Sequence, residues 1–204
     1  MIQENIILYV DSQFISPYAM SVFVTLTEKN IPFQIRKVNL EAKENLQPGY
    51  ANLSLTRRVP TLTHGDFHLS ESSAISEYLD ELYPAPNYPI VYPKDIHLKA
   101  RARQIQAWIR SDFLPIREER STEVVFGEPT NKPLSEAAQA DTEKLFAAAD
   151  SLIKNNVANI FSDWCIADTD LALMLNRLVL NGDDVPEKLV KYAHHQWERP
   201  SIQQ

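Results

Sequence analysis

The sequence predicts an α/β domain followed by an all-helical domain. Three observations carry this. Short apolar strands alternate with helically spaced stretches as far as Tyr83. Pro84, Pro86, Pro89 and Pro93 then fall within ten residues, a density no helix continues through. Every periodic stretch beyond them has helical spacing. A chain of 204 residues can build either one large core or two smaller ones.

Asn5 to Val10 is an apolar run stopped by Asp11-Ser12 and reads as a buried strand. Tyr18, Val22 and Leu26 follow at helical spacing, and Phe33 to Val38 alternates as a second strand. Glu41 to Tyr50 is a short polar helix or loop closed around Pro48-Gly49. Thr61–Thr63 and Phe67–Leu69 flank His64-Gly65-Asp66 as a hairpin with glycine in the turn. Ile75, Tyr78, Leu79 and Leu82 then mark a helix over Glu71–Tyr83. The order βαβ-α-ββα can form a mixed sheet with helices on both faces, the thioredoxin-like arrangement, with the first two strands parallel and their crossover right-handed. These readings place an α/β domain at 1–84, a proline-rich linker at 85–93 and a helical domain at 94–204.

In the second part, Leu98, Ala102, Ile105, Ile109, Phe113 and Ile116 share one face of a long helix that Pro115 kinks or ends. Ser121 to Pro133 reads as a loop. Further helices are expected over Ser135–Leu152, Asp168–Leu180 and Pro186–Trp197, the middle one apolar on nearly all sides and therefore the core helix.

The formal charge is −7, with 6 basic and 10 acidic side chains in residues 1–93 and 14 and 17 in residues 94–204. No basic stripe is available to neutralise phosphates, so nucleic acid is not an expected partner. Cys165 is the single cysteine, which excludes an internal disulfide. Met1–Glu4 lacks the features of a signal peptide, and Leu171–Leu175 is too short to span a bilayer. A soluble cytoplasmic protein without membrane or metal partners is expected.

Three short motifs carry chemistry. In Ser16-Pro17-Tyr18 the local reading is a helix start, with serine as N-cap and proline at the first helical position. The functional reading is that Ser16 donates a hydrogen bond to a thiolate, helped by free N–H groups and the helix dipole. A thiol of pKa ~8.5 must fall ~2 units to ionise at neutral pH, about 2.7 kcal/mol. A charge-assisted hydrogen bond of roughly 1.5–3 kcal/mol with a dipole contribution of about 0.3–1 kcal/mol supplies it without a general base. Val59-Pro60 opens a strand, where a proline is tolerated structurally, and a cis bond there would present the Val59 backbone to a peptide ligand. Glu71-Ser72 opens a helix capped by Ser70; the same features suit the carboxylate and ammonium of an amino-acid headgroup.

In this order the motifs resemble those of the cytosolic glutathione transferases, most closely the serine-type members and a bacterial YfcF-type branch. The resemblance covers the whole chain and implies glutathione as co-substrate. It implies that Ser16 stabilises the thiolate, that Val59 pairs with the cysteinyl backbone beside a structural cis Pro60, and that Glu71 and Ser72 bind the γ-glutamyl headgroup. It implies too that Arg58, just before the Val-Pro step, takes the glycyl carboxylate. Asn45 stands in Lys43-Glu44-Asn45 where the family often has a histidine, and Ser54-Leu55-Thr56-Arg57 replaces the family's Asn-Pro-x-Gly. In Cys165-Ile166-Ala167-Asp168, Asp168 keeps the acidic end of a structural capping box while cysteine replaces its hydroxyl. Cys165 itself reads as a buried small residue.

Tyr9 is close to the position of the catalytic residue in tyrosine-type members; the Ser-Pro-Tyr motif favours Ser16 instead. His194-His195 and Arg117-Glu118-Glu119-Arg120 read as solvated helix faces. The expected activity is conjugation of glutathione to a small apolar electrophile held by Phe14, Ile15, Trp108 and Phe113, with reduction of organic hydroperoxides or disulfides as a further possibility at the same site. The rival is a weakly catalytic or non-catalytic glutathione-binding regulatory or stress protein on the same fold. The resemblance also implies a homodimer.

Overall fold

The structure, a computed structural model, describes residues 5–154 and 158–204. Four strands form one mixed sheet in the order β2-β1-β3-β4. They are β1 (Ile6–Asp11), β2 (Gln34–Val38), β3 (Thr61–His64) and β4 (Phe67–Ser70). β1 runs parallel to β2 and antiparallel to β3, and β3 is antiparallel to β4. All six residues of β1 are buried, as its apolar run requires of a central strand. β2 differs from its expected alternation: it is an edge strand, exposed up to Val38.

Helices α1 (Pro17–Glu28) and α3 (Ser72–Leu82) accompany the sheet. The main core joins Leu8, Val10 and Leu62 to Val22, Leu26, Ile75 and Leu79. A second cluster gathers Ile7, Tyr9, Val38, Tyr50 and Val59. The alternation along β1, with 8 and 10 in one cluster and 7 and 9 in the other, is the period of two of a strand covered on both faces. The polar stretch after β2 holds a 3₁₀ turn at Glu44–Leu46 and a short α2 (Pro48–Ala51), anchored by the buried Tyr50.

The chain divides into two compact units, Met1–Val91 and Tyr92–Gln204. Within the first, the fully buried Lys29 ties the proline-rich stretch down. Its Nζ donates to Asp80 Oδ1 at 2.9 Å and to the Pro89 carbonyl at 2.8 Å, and Asp80 Oδ1 also accepts the Val91 N–H at 3.0 Å. Ala85–Pro86 is cis, as is Val59–Pro60.

The second unit is helical: α4 (Ile96–Ser111), α5 (Leu114–Glu119), α6 (Thr122–Phe126), α7 (Glu136–Leu152), α8 (Ile166–Val179) and α9 (Glu187–Trp197). The expected single long helix is broken before Pro115. Asp112 is extended and Phe113 left-handed (φ 62°), so Pro115 sits in the first turn of α5, where its missing N–H costs nothing. The expected loop at 121–133 contains α6, capped by Ser121, whose Oγ accepts the Glu123 N–H at 3.3 Å. Arg120 is not on a solvated face. It is 1% exposed, its Nε and Nη2 forking onto Asp183 at 2.7 and 2.8 Å and Nη2 also reaching the Lys132 carbonyl at 2.9 Å. The core helix α8 is buried along nearly its whole length. Asp168 fixes its start by accepting the Ile160 N–H at 2.7 Å, the Cys165 N–H at 2.9 Å and the Tyr192 hydroxyl at 2.8 Å. Burial pushes both the Asp168 carboxyl and the Cys165 thiol above their usual ranges, which makes Cys165 an inert packing residue.

Candidate functional site at one end of the sheet

Strand register brings the three motifs of the first unit to one end of the sheet. Tyr9 pairs with Thr61, and Thr61 with Ser70, while Asp11 pairs with Val38. The C-terminal ends of β1, β2 and β4 therefore lie together with the start of β3. Ser16 follows the end of β1, Val59-Pro60 precedes β3, and Glu71-Ser72 follows β4. Asn45 and its neighbours follow β2. Sequence separations of more than fifty residues close into one rim.

At the first motif Ser16 is the N-cap of α1, with extended backbone (φ −72°, ψ 114°), and its Oγ accepts the Ala19 N–H at 3.2 Å. Accepting that bond leaves the hydroxyl proton for another acceptor. The expectation of several free N–H groups beside it needs correction. Pro17 has none, the Ala19 N–H is spent on Ser16 Oγ, and the Met20 N–H donates to the Ser16 carbonyl at 3.0 Å. An anion at this helix start would therefore meet the hydroxyl and the dipole rather than a set of free N–H groups.

Tyr9 belongs to the second cluster of the first unit, beside Tyr50 and Val59. Its hydroxyl accepts from Arg36 Nη1 at 3.3 Å, and its ring meets Tyr50 edge-on at 5.7 Å.

Around the second motif a hydroxyl network fixes the loop. The Tyr50 hydroxyl donates to the Arg58 carbonyl at 2.6 Å, and Thr61 Oγ1 lies 2.9 Å from both Tyr50 Oη and Ser54 Oγ. Burial raises the Tyr50 phenol above its usual range, so it stays protonated and able to donate. Asn45 Nδ2 donates to the Arg57 carbonyl at 2.9 Å, pinning Arg57 at its positive φ of 53°. Arg58 is exposed and Val59 buried.

The third motif holds a difference from expectation. β4 runs through Ser70, so the N-cap of α3 is Glu71, not Ser70. Glu71 has φ 75° and ψ 113°, outside the regions ordinary residues occupy, and its side chain is exposed and makes no capping bond. A non-glycine residue held there costs on the order of 1–3 kcal/mol, the kind of strain that collects at binding sites. Ser72 is buried at the first position of α3.

The apolar candidates fall in both units. In the first, Phe14 is exposed, left-handed at φ 59°, and covered on one side by Lys37 Nζ, 4.6 Å from its ring centroid; Ile15 is half-buried. In the second, Trp108 is half-buried and packs edge-on against Phe113 at 4.7 Å. Phe113 is 1% exposed, so it backs Trp108 and offers no open wall of its own. Trp108 Nε1 donates to Asp112 Oδ2 at 3.0 Å, and Lys144 pairs with the same oxygen. The Lys144 hydrogen bond is the main reason the Asp112 carboxyl lies below its usual range.

Two residues of the site were not singled out from sequence, Asp11 and Tyr50. Asp11 accepts the Ile15 and Ser16 N–H groups. Only the stop in the apolar run at Asp11 and the isolated aromatic Tyr50 in a polar stretch hint at them. Among the described residues no group of three His, Cys, Asp or Glu is placed to hold a metal ion, and no helix is long and apolar enough to cross a membrane.

Residues 15–82 match the family model of the glutathione S-transferase N-terminal domain, and residues 95–204 that of the C-terminal domain. Human glutathione S-transferase theta-1 is 36% identical over 101 residues, which are 50% of this chain and 40% of that protein, so the match spans less than half the relative's length. A crystal structure of a Burkholderia glutathione transferase homolog with bound glutathione is 52% identical, covers 98% of this chain and 95% of its own, and superposes with a TM-score of 0.82. Human glutathione S-transferase T1-1 in its apo form is 25% identical, with a TM-score of 0.72 over 95% of this chain and 83% of its own. With both domain models matched and the thioredoxin-like and helical units in place, the chain belongs to the glutathione S-transferase family.

Proposed function

We propose that this protein is a serine-type glutathione transferase of the YfcF-type branch, which holds glutathione at the end of the sheet and activates it as a thiolate. The observation that carries this is the register: it gathers a serine hydroxyl, the Val59-Pro60 backbone and a strained Glu71 beside Ser72 on one rim. Glutathione is an extended tripeptide with an amino-acid headgroup at one end, a thiol in the middle and a carboxylate at the other. Glu71 takes its ammonium and Ser72 its γ-glutamyl carboxylate. The Val59 backbone pairs with the cysteinyl residue, and Arg58, with Asn45 beside it, takes the glycyl carboxylate. The relative with bound glutathione, 52% identical, supports the ligand.

The thiol proton passes to solvent, and the Ser16 O–H donates to the sulfur anion left behind. The thiolate then attacks the electrophilic carbon, forming a thioether while the leaving group departs with its electron pair. With an organic hydroperoxide the sulfur attacks the outer oxygen, giving the alcohol and a glutathione sulfenic acid that a second glutathione converts to disulfide and water. Phe14 and Ile15, on the loop that leads into Ser16, are assigned to an apolar electrophile. The domains at 1–84 and 94–204 keep these roles, and the protein is read as a cytoplasmic homodimer of 23.3 kDa chains.

Calorimetry with glutathione at neutral pH, followed by turnover with aryl halides and organic hydroperoxides, tests the reading. Binding at millimolar affinity or better with glutathione-dependent turnover is expected. Absence of binding at several millimolar removes the assignment; binding without turnover on any substrate moves it to the glutathione-binding regulatory protein.

A further inference from the structure

Asp11 ends β1 with its side chain buried, and three successive backbone N–H groups converge on it. The Phe14 N–H donates to its carbonyl at 3.2 Å, the Ile15 N–H to Oδ2 at 2.9 Å and the Ser16 N–H to Oδ1 at 3.0 Å. The two successive N–H groups of Ile15 and Ser16, turned toward one carboxylate, make a nest, and it follows the positive φ of Phe14 (59°). Among the described residues no cation pairs with Asp11, so the Ile15 and Ser16 N–H groups are what compensate a carboxylate held out of water.

We infer that Asp11 is the positioning residue for Ser16: its carboxylate fixes the backbone of residues 14–16 and with it the direction in which the Ser16 O–H points. The inference rests on the role given to Ser16 above. Ser16 is held from both sides, its N–H by Asp11 at 3.0 Å and its Oγ by the Ala19 N–H at 3.2 Å. The only freedom left to the hydroxyl is rotation of its proton. A hydrogen bond that must meet a sulfur anion in one place gains from this, because small misplacements near a reacting centre are costly.

The negative charge of Asp11 itself opposes a nearby thiolate. Lys37, over the Phe14 ring, and Glu41, which accepts from Gln13 Nε2 at 2.9 Å, flank the same loop, and Arg36 lies on Tyr9. A test must therefore hold charge constant. Asp11→Asn and Asp11→Ala are both neutral at this position, but the amide keeps one acceptor oxygen and the methyl keeps none. The pKa of bound glutathione, read from its thiolate absorbance, is expected to be about one unit higher in Asp11→Ala than in Asp11→Asn, the larger part of one lost charge-assisted hydrogen bond. In a Ser16→Ala background that difference should vanish. Equal values in the two variants, or a difference that survives without the Ser16 hydroxyl, overturns the inference.

Amide hydrogen exchange of Ile15 and Ser16 in the ligand-free protein gives a second reading. Both should exchange at least about tenfold faster in Asp11→Ala, each having lost its buried acceptor. If that variant does not fold, Asp11→Asn should free one of the two. Unchanged exchange overturns the inference as well. Wild-type protein that fails to bind glutathione refutes the functional reading, while the exchange rates still decide whether Asp11 holds Ser16.

Discussion

Replacing Ser16 with alanine removes two interactions that can be measured separately. The first is structural: Ser16 Oγ accepts the Ala19 N–H at 3.2 Å as the N-cap of α1. Losing an N-cap of this type costs about 1 kcal/mol, within a range of roughly 0.5–2 kcal/mol. In a protein of this size that lowers Tm by about 2–4 °C per kcal/mol. The second is chemical. The hydroxyl proton, on the reading proposed here, is donated to the glutathione thiolate, and a hydrogen bond to a charged group is worth roughly 1.5–3 kcal/mol. Its loss should raise the pKa of the bound thiol by about 1–2 units. For a thiol near pKa ~6.5 in the wild type, this cuts the ionised fraction at neutral pH by roughly three- to twenty-five-fold.

Ser16→Gly separates the two effects. Glycine at an N-cap costs only a few tenths of a kcal/mol relative to serine, yet it lacks the hydroxyl as completely as alanine does. Both variants should raise the thiol pKa equally in a pH titration of thiolate absorbance, while only Ser16→Ala shows the clear loss in Tm. Unchanged pKa in both variants, in protein that still binds glutathione, refutes the reasoning. The tyrosine reading would then be favoured if Tyr9→Phe abolished the thiolate signal.

Glu71→Ala should weaken glutathione binding more than Arg58→Ala in calorimetry, because the ammonium loses its one carboxylate partner while an exposed cation contributes about 0–1 kcal/mol. Tyr50→Phe removes the hydroxyl that donates to the Arg58 carbonyl at 2.6 Å; a loss of about 1 kcal/mol in chemical denaturation is expected, with glutathione binding weakened no more than about fivefold. Burial raises the Asp168 carboxyl above its usual range, so its folded pKa exceeds its unfolded one. The associated stability is fully present below the unfolded value and is lost as pH rises through the folded one. Asp168→Asn, which cannot titrate, should therefore be less stable than wild type by a margin that shrinks over the interval from about pH 4 upward. Denaturation midpoints across that interval check the sign; a margin that widens refutes it.

Much of the first unit is legible because its signals are local. The apolar run before Asp11, the glycine in the turn at Gly65 and the helical spacing from Ile75 to Leu82 each specify an element without help from elsewhere. What failed depended on partners distant in sequence. Arg120 stands in an Arg-Glu-Glu-Arg run that looks solvated, but Asp183, sixty-three residues on, draws its guanidinium inside. Ser70 looks like a cap because serine favours that position, yet pairing with Thr61 extends β4 through it and moves the helix start to Glu71. Pro115 looks like a breaker inside a helix; the left-handed Phe113 makes it the opening of a new one. In the candidate site, the Pro-Tyr context marks Ser16 as a candidate, whereas nothing in the sequence marks Asp11 as one. The bonds from Asp11 to Ile15 and Ser16 are local, but they form only because Phe14 adopts positive φ, which its identity does not announce.

The departures from the family pattern fall on the loop that would meet the far end of glutathione, and the structure answers them with hydrogen bonds. Where the family has Asn-Pro-x-Gly, the hydroxyls of Tyr50, Ser54 and Thr61 surround the Arg58 carbonyl at 2.6, 3.3 and 3.1 Å and hold the backbone just before Val59-Pro60. Where it often has a histidine, Asn45 is neutral and one of its amide protons is already committed to the Arg57 carbonyl. On the proposed reading, charge for the glycyl carboxylate must then come from the arginines. Composition fits this: five of the six basic side chains in residues 1–93 lie between Arg36 and Arg58. A unit with more acidic than basic side chains thus concentrates its cations in the segment beside the rim. On that reading Arg58 contributes attraction rather than a buried pair, and the strained Glu71 and buried Ser72 would supply the discrimination for an amino-acid headgroup.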